Sequence, residues 1–194
     1  MKIPTDGIKY SNRSGNILST INKHWRSRTK TKQGSSFDAI LEGRIFGDNG
    51  DSLWYTASNG EWASDNFYVT ASSTRDATGY EERLDMNGDY VCHRGIASGT
   101  SCGNVTSVYH DPNYQPECGW WGCSNIWVRV EGPSLEGCKG DSGGPFYNWR
   151  TAYAVLSGTD SAGNTTCTAS GTSHVTFTAM DHVLVRLGVE FATT

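Results

Sequence analysis

Residues 140–145 of the chain read Gly140-Asp141-Ser142-Gly143-Gly144-Pro145. A serine set between glycines, with an acid just before it, suits a sharp bend that leaves a hydroxyl uncovered. Gly140 can take a backbone angle closed to other residues and leaves its own N–H open. The N–H groups of Gly140 and Ser142 can then point at one spot, where negative charge would form on a carbonyl attacked by the Ser142 hydroxyl. An ordinary glycine-rich turn is the competing reading, and it leaves the order of these six residues to chance.

Outward from this string, Cys138 joins Cys92, Cys102, Cys118, Cys123 and Cys167 in a set of six cysteines, all in the second half of the chain. An even count suggests three disulfides. Zinc would require Cys-x-x-Cys or a histidine at finger-like spacing from Cys118 and Cys123, and neither occurs. Oxidised cysteines point outside the cytosol. Met1 to Tyr10 has no apolar export segment, so a signal is expected to lie outside this sequence. No run approaches the length of a membrane-crossing helix.

The 194 residues hold 23 Gly, 7 Trp and 9 Tyr, a turn-rich composition whose large apolar side chains suit strands. All-β is the expected class. A net charge of -4 gives no global reason to expect nucleic acid or an anionic membrane as partner. Asn49-Gly50, Asn59-Gly60 and Asn87-Gly88 punctuate runs such as Phe67-Tyr68-Val69-Thr70 that read as strands. Arg26, Arg28, Lys30 and Lys32 alternate with Ser27, Thr29 and Thr31, the pattern of an edge strand guarded by charge or, alternatively, of a dock for an anionic polymer. Composition shifts near Asp85 to Asp89, which separates a first unit, 1–85, from a second, 86–194. Val183, Leu184 and Leu187 at helical spacing before Gly188 predict one short terminal helix.

Several of these segments together resemble the trypsin/chymotrypsin-like serine peptidases, nearest their bacterial secreted streptogrisin and α-lytic protease branch. Beside Gly140 to Pro145, the resemblance is carried by Val91-Cys92-His93-Arg94-Gly95 closing on Cys102-Gly103, by Leu156-Ser157-Gly158, and by Val175 to Gly188. It implies two antiparallel Greek-key β-barrels with the site between them, the first barrel incomplete in this chain. It implies disulfides Cys92–Cys102 and Cys138–Cys167, leaving Cys118 with Cys123. It also implies peptide-bond hydrolysis through an acyl-enzyme on Ser142, with Gly140 and Ser142 as oxyanion donors. Asp141 would be buried and would prop the oxyanion loop. Ser157 and Gly158 would hold the substrate backbone, and Glu136 would offer negative charge to a Lys or Arg side chain. A secreted monomer acting on polypeptides is expected, with no cofactor or metal.

A serine nucleophile needs an imidazole to take its proton and a carboxylate to orient the imidazole. Phe37-Asp38-Ala39-Ile40-Leu41 resembles the family segment in which the acid opens an apolar strand, so Asp38 is the expected aspartate. Asp48, Asp51 and Asp65 also precede aromatic or apolar stretches, and Asp38 could equally be a turn residue capping a strand. No segment matches the family's Ala-(Ala or Gly)-His-Cys. His24 is the only histidine before Asp38, but cations flank it and it reads as a surface residue. Two expectations follow. Either the chain starts downstream of the base and has little proteolytic activity alone, or it is a protease-like domain that binds peptide or carbohydrate through Trp120, Trp121 and Trp127.

Overall fold

The computed structural model describes residues 16–19, 30–33, 35–45, 50–57, 65–112, 125–159, 167 and 174–191. Strands β1 (Asn16–Ser19), β2 (Lys30–Gln33), β3 (Ser35–Ile45) and β4 (Ser52–Ala57) form one antiparallel sheet in the order β1-β4-β3-β2. Among the described residues β2 lies at the sheet edge, so Lys30 and Lys32 sit where charge discourages a stray strand from pairing. The β3–β4 connection carries Asn49-Gly50, and Gly50 has φ 118°.

A small hairpin follows, β5 (Asn66–Tyr68) with β6 (Thr74–Asp76). The strand expected over residues 67–70 stops at Tyr68. Val69 and Thr70 both turn their N–H groups onto the Ser73 carbonyl, at 3.0 and 3.3 Å, and the Thr70 hydroxyl accepts from Ser73 N–H. Short polar side chains that bond their own backbone favour a turn over a ladder.

The second sheet contains β7 (Gly79–Tyr80), β8 (Tyr90–Gly95), β9 (Gly99–His110), β10 (Trp127–Glu131), β11 (Pro145–Asn148), β12 (Thr151–Gly158) and β13 (His174–Ala179). Pairing runs β11-β8-β9-β10-β13-β12 and returns from β12 to β11, which closes a six-stranded barrel. Closure removes the open edges that such strands would otherwise expose. The parallel strand β7 adds outside the ring against β12, so this sheet begins at Gly79. Bulges in the β9–β10 ladder let Val105 and Val108 both face the core although they are an odd number of residues apart. Val91, Val130, Leu156 and Phe177 complete the filling around Phe146.

Strands β12 and β13 are buried along nearly their whole length, Ala152 to Ser157 and Val175 to Ala179. Two-sided burial removes the need for polar alternation. Inside is the barrel core. Outside, Ala152 and Val155 join a second apolar cluster with Met180, Val183 and Leu184 of the terminal helix α1 (Met180–Leu187). Gly188 ends α1 in the left-handed conformation, and Val189 N–H closes on Leu184 O at 3.1 Å. The helix also touches β3 of the first sheet. Among the described residues no helix is long and apolar enough to cross a membrane.

Cys92–Cys102 joins directly opposed residues of β8 and β9, and Cys138 is bonded to Cys167. Both pairings are those the family resemblance implied. Cys118 and Cys123 lie outside the described residues.

Candidate active site

The Gly140 to Pro145 string forms a tight turn entering β11, with Ser142 half-buried at its bend. Gly140 has φ 109° and Gly143 has φ 89°, angles that strain any residue carrying a Cβ. Gly143 N–H donates to Leu156 O at 2.9 Å, and Leu156 N–H donates to Gly144 O at 3.0 Å. The turn is thereby laced to β12 just before Ser157. Gly144 is packed so closely that an added Cβ would lie 2.8 Å from Arg94 O. The N–H groups of Gly140 and Ser142 have no acceptor among the described residues.

Beneath the turn lies Asp141, 1% exposed. Its carboxylate accepts Ala97 N–H at 2.7 Å and Ser98 N–H at 3.3 Å on one oxygen, and Cys138 N–H at 2.7 Å on the other. Charge-assisted bonds of this kind are about twice as strong as neutral ones. They tie the β8–β9 turn to the loop before Ser142. Gly95 makes room, since a Cβ there would overlap the Asp141 carboxylate.

The two candidate acids of the first sheet fall far apart. Asp38 is opposite Lys30, one residue beyond the Ala39–Ala57 pair. Asp51 is one residue before Ser52, which pairs with Ile45 at the other end of the same ladder. At about 3.3 Å per residue, this puts roughly 20 Å of strand between them. Asp51 is buried, 3% exposed, and its N–H donates to Thr178 Oγ1 of β13 at 3.2 Å. Thr178 Oγ1 is in turn 3.1 Å from Ser157 Oγ. A Cβ on Gly50 would lie 3.0 Å from Thr178 Cγ2, so the approach of this loop to the barrel is as close as glycine allows. The Asp51 backbone thus reaches Ser157 through Thr178, and through Leu156 the Ser142 turn, whereas Asp38 sits in β3 at the other end of the β3–β4 ladder.

Glu136, two residues before Cys138, is half-buried, and its carboxylate has no partner among the described residues. Its peptide is held. Glu136 N–H donates to Ser101 Oγ at 3.0 Å, Ser101 Oγ donates to Glu136 O at 3.2 Å, and His93 Nε2 bonds the same carbonyl. His93 is fully buried, with its ring stacked on Phe146 at 5.0 Å. Burial pushes its pKa below the usual histidine value, while the Glu136 carbonyl and the Asp141 charge pull it up and Arg94 pushes it down.

Ser157 and Gly158 close β12 beside β13, as a strand end within reach of the Ser142 turn. Trp127 is fully buried, so it has no face to offer a sugar or peptide, and Trp120 and Trp121 lie outside the described residues. His24 also lies outside them. His110 and His174 meet edge to face at 5.9 Å across β9, β10 and β13, where Arg129 donates to His174 Nδ1 at 3.2 Å. His182 is on α1.

No protein-family model and no curated protein matches the chain in sequence. Solved structures do match in fold. The chymotrypsin of Cellulomonas bogoriensis superposes with a TM-score of 0.70 at 18% identity, over 96% of this chain and 90% of that one. Thermobifida fusca protease A gives 0.68 at 22% identity, over 96% and 91%. The Nocardiopsis protease gives 0.70 at 18% identity, over 96% and 91%. The fold is therefore chymotrypsin-like, all-β with a closed six-stranded barrel and one short helix, and its structural neighbours are bacterial serine proteases of that fold.

Proposed function

We propose that the chain is a serine endopeptidase that cleaves polypeptides through an acyl-enzyme on Ser142. The observation that carries this reading is the link from the Ser142 turn through Leu156 and Ser157 to Thr178 and Asp51. It brings the loop that carries a buried aspartate of the other sheet against the barrel strands that hold the Ser142 turn. We assign Asp51, in place of Asp38, as the acid that orients the base.

His24 is the base that best fits this assignment. Strand β1 runs antiparallel to β4, with Ser19 opposite Leu53, two residues from Asp51. His24 follows Ser19 by five residues, and a chain of that length reaches up to about 17 Å. Of the other four histidines, His93, His110 and His174 lie on barrel strands and His182 on α1, and His93 is committed to Glu136.

In the reaction, His24 takes the Ser142 proton as Oγ attacks the scissile carbonyl. The carbonyl oxygen gains charge facing the open N–H groups of Gly140 and Ser142. His24 returns the proton to the leaving amine, and water repeats the cycle on the acyl-enzyme. Glu136 gives the pocket a negative charge for a Lys or Arg side chain, and Ser157 and Gly158 align the substrate backbone. Two disulfides agree with an oxidising compartment outside the cytosol.

The test is labelling of the pure chain with a serine-directed phosphonate, followed by mass mapping. Native protein should carry the label on Ser142, and His24→Ala should lose it. Modification spread over other serines, or none under conditions in which the chain is folded, would overturn the reading.

A further inference from the structure

We propose that His93 and Ser101 are positioning residues that fix the Glu136 peptide and so hold the wall of the pocket that selects the substrate side chain. This deepens the reading of Glu136 given above and rests on it. Strand pairing brings the two together. Cys92 opposes Cys102, so the next pair outward is His93 with Ser101, and both side chains turn to the same face. Their polar atoms meet, with Ser101 Oγ 2.8 Å from His93 Nε2.

The chemistry of the partners sets every proton. A carbonyl oxygen only accepts, so His93 carries its hydrogen on Nε2 and donates it to Glu136 O. Ser101 accepts Glu136 N–H and donates its own hydrogen to Glu136 O. Both ends of one peptide group are thus clamped by side chains of a neighbouring hairpin. His93 Nδ1 is left as a bare lone pair, buried with no hydrogen-bond partner among the described residues. A second proton there would have no acceptor, so the strut works with neutral imidazole. The Phe146 ring lies almost parallel to the imidazole, 6° off, and fixes its tilt.

Such a clamp is more than the loop needs to stay folded. Cys138 two residues on is already tied to Cys167 and to Asp141, which secures the nucleophile side. What His93 and Ser101 add is the orientation of Glu136 itself. Its carboxylate has no protein cation among the described residues to hold it, so the backbone decides where the charge sits.

The test uses the full chain, para-aminobenzamidine as a fluorescent mimic of a basic side chain, and amide hydrogen exchange. Ser101→Ala should speed exchange of the Glu136 N–H about tenfold and weaken probe binding about three- to tenfold, and Ser101→Thr should restore both. His93→Gln should weaken probe binding in the same direction. Phosphonate labelling of Ser142 should keep its native rate in Ser101→Ala, which separates loss of the strut from damage to the nucleophile. Glu136→Gln should lose probe binding with its amide exchange unchanged. Native exchange and native probe binding in Ser101→Ala, while Glu136→Gln loses the probe, would overturn the strut and leave the basic pocket standing. Probe binding indifferent to Glu136→Gln would instead remove the basic pocket, with the exchange rates still deciding whether the peptide is clamped.

Discussion

Asp51 and Thr178 are 127 positions apart in sequence and joined by a hydrogen bond from the Asp51 N–H to the Thr178 hydroxyl. This contact fastens the loop before β4 to the barrel that carries Ser142. It turns a buried aspartate of the first sheet into a neighbour of Ser157. Asp51→Asn should lower kcat about 10⁴-fold by favouring the wrong imidazole tautomer. Asp38→Asn should leave kcat near native. Steady-state kinetics on a peptide ester reads both, and a loss confined to Asp38→Asn would reverse the assignment.

Gly95 and Asp141 form a second diagnostic pair. A methyl at Gly95 would displace a carboxylate that receives three backbone N–H groups, so Gly95→Ala should destabilise the fold by about 2–4 kcal/mol and slow labelling of Ser142. Gly79→Ala serves as the control, because nothing lies within 4 Å of its added Cβ. Denaturant unfolding of the two variants should separate them clearly. Equal midpoints would mean that the carboxylate is not wedged as described.

The hairpin β8–β9 offers a third test. Its Cys92–Cys102 bond closes a loop with a separation of 10 residues, for which the chain-entropy model gives about 3 kcal/mol. A double change to serine should lower stability by roughly that amount. It should also loosen His93 and Ser101, the adjacent pair, so Glu136 amide exchange should quicken along with it. Faster unfolding without any change at Glu136 would detach the disulfide from the pocket.

Parts of this architecture are legible in the sequence because their causes are local. The Ser142 turn and the terminal helix with its Gly188 stop each rest on neighbouring residues. Asp38 stands out in the same way, as an acid opening an apolar run. Asp51 opens one too, ahead of Leu53, Trp54 and Tyr55, and what distinguishes it is a partner 127 residues away. The available signal was Gly50, whose φ of 118° and tight fit against Thr178 mark a close approach. His93 was hidden differently. Once Cys92 is paired with Cys102, His93 must face Ser101, but only the folded loop brings Glu136 onto them.

The buried strut has a pH signature of known sign. Burial lowers the pKa of His93 from its ordinary value near 6.5. Between the lowered folded value and 6.5 the unfolded chain binds more protons than the native one, so acidification through that window costs stability. Above it the contribution of His93 is fully present, and below it the loss is complete. For one proton the slope reaches at most about 1.4 kcal/mol per pH unit. The groups facing the ring pull in opposite directions, Asp141 favouring the charged form and Arg94 the neutral one, with desolvation the largest influence. Native protein should therefore lose stability faster than His93→Gln as pH falls below 6.5, and the two should run parallel above it. Denaturant midpoints collected across that range measure the difference directly. Identical slopes in native and variant would mean that His93 takes up its proton as readily in the fold as in the open chain, which a buried imidazole donating to a carbonyl from Nε2 and stacked on Phe146 should not do.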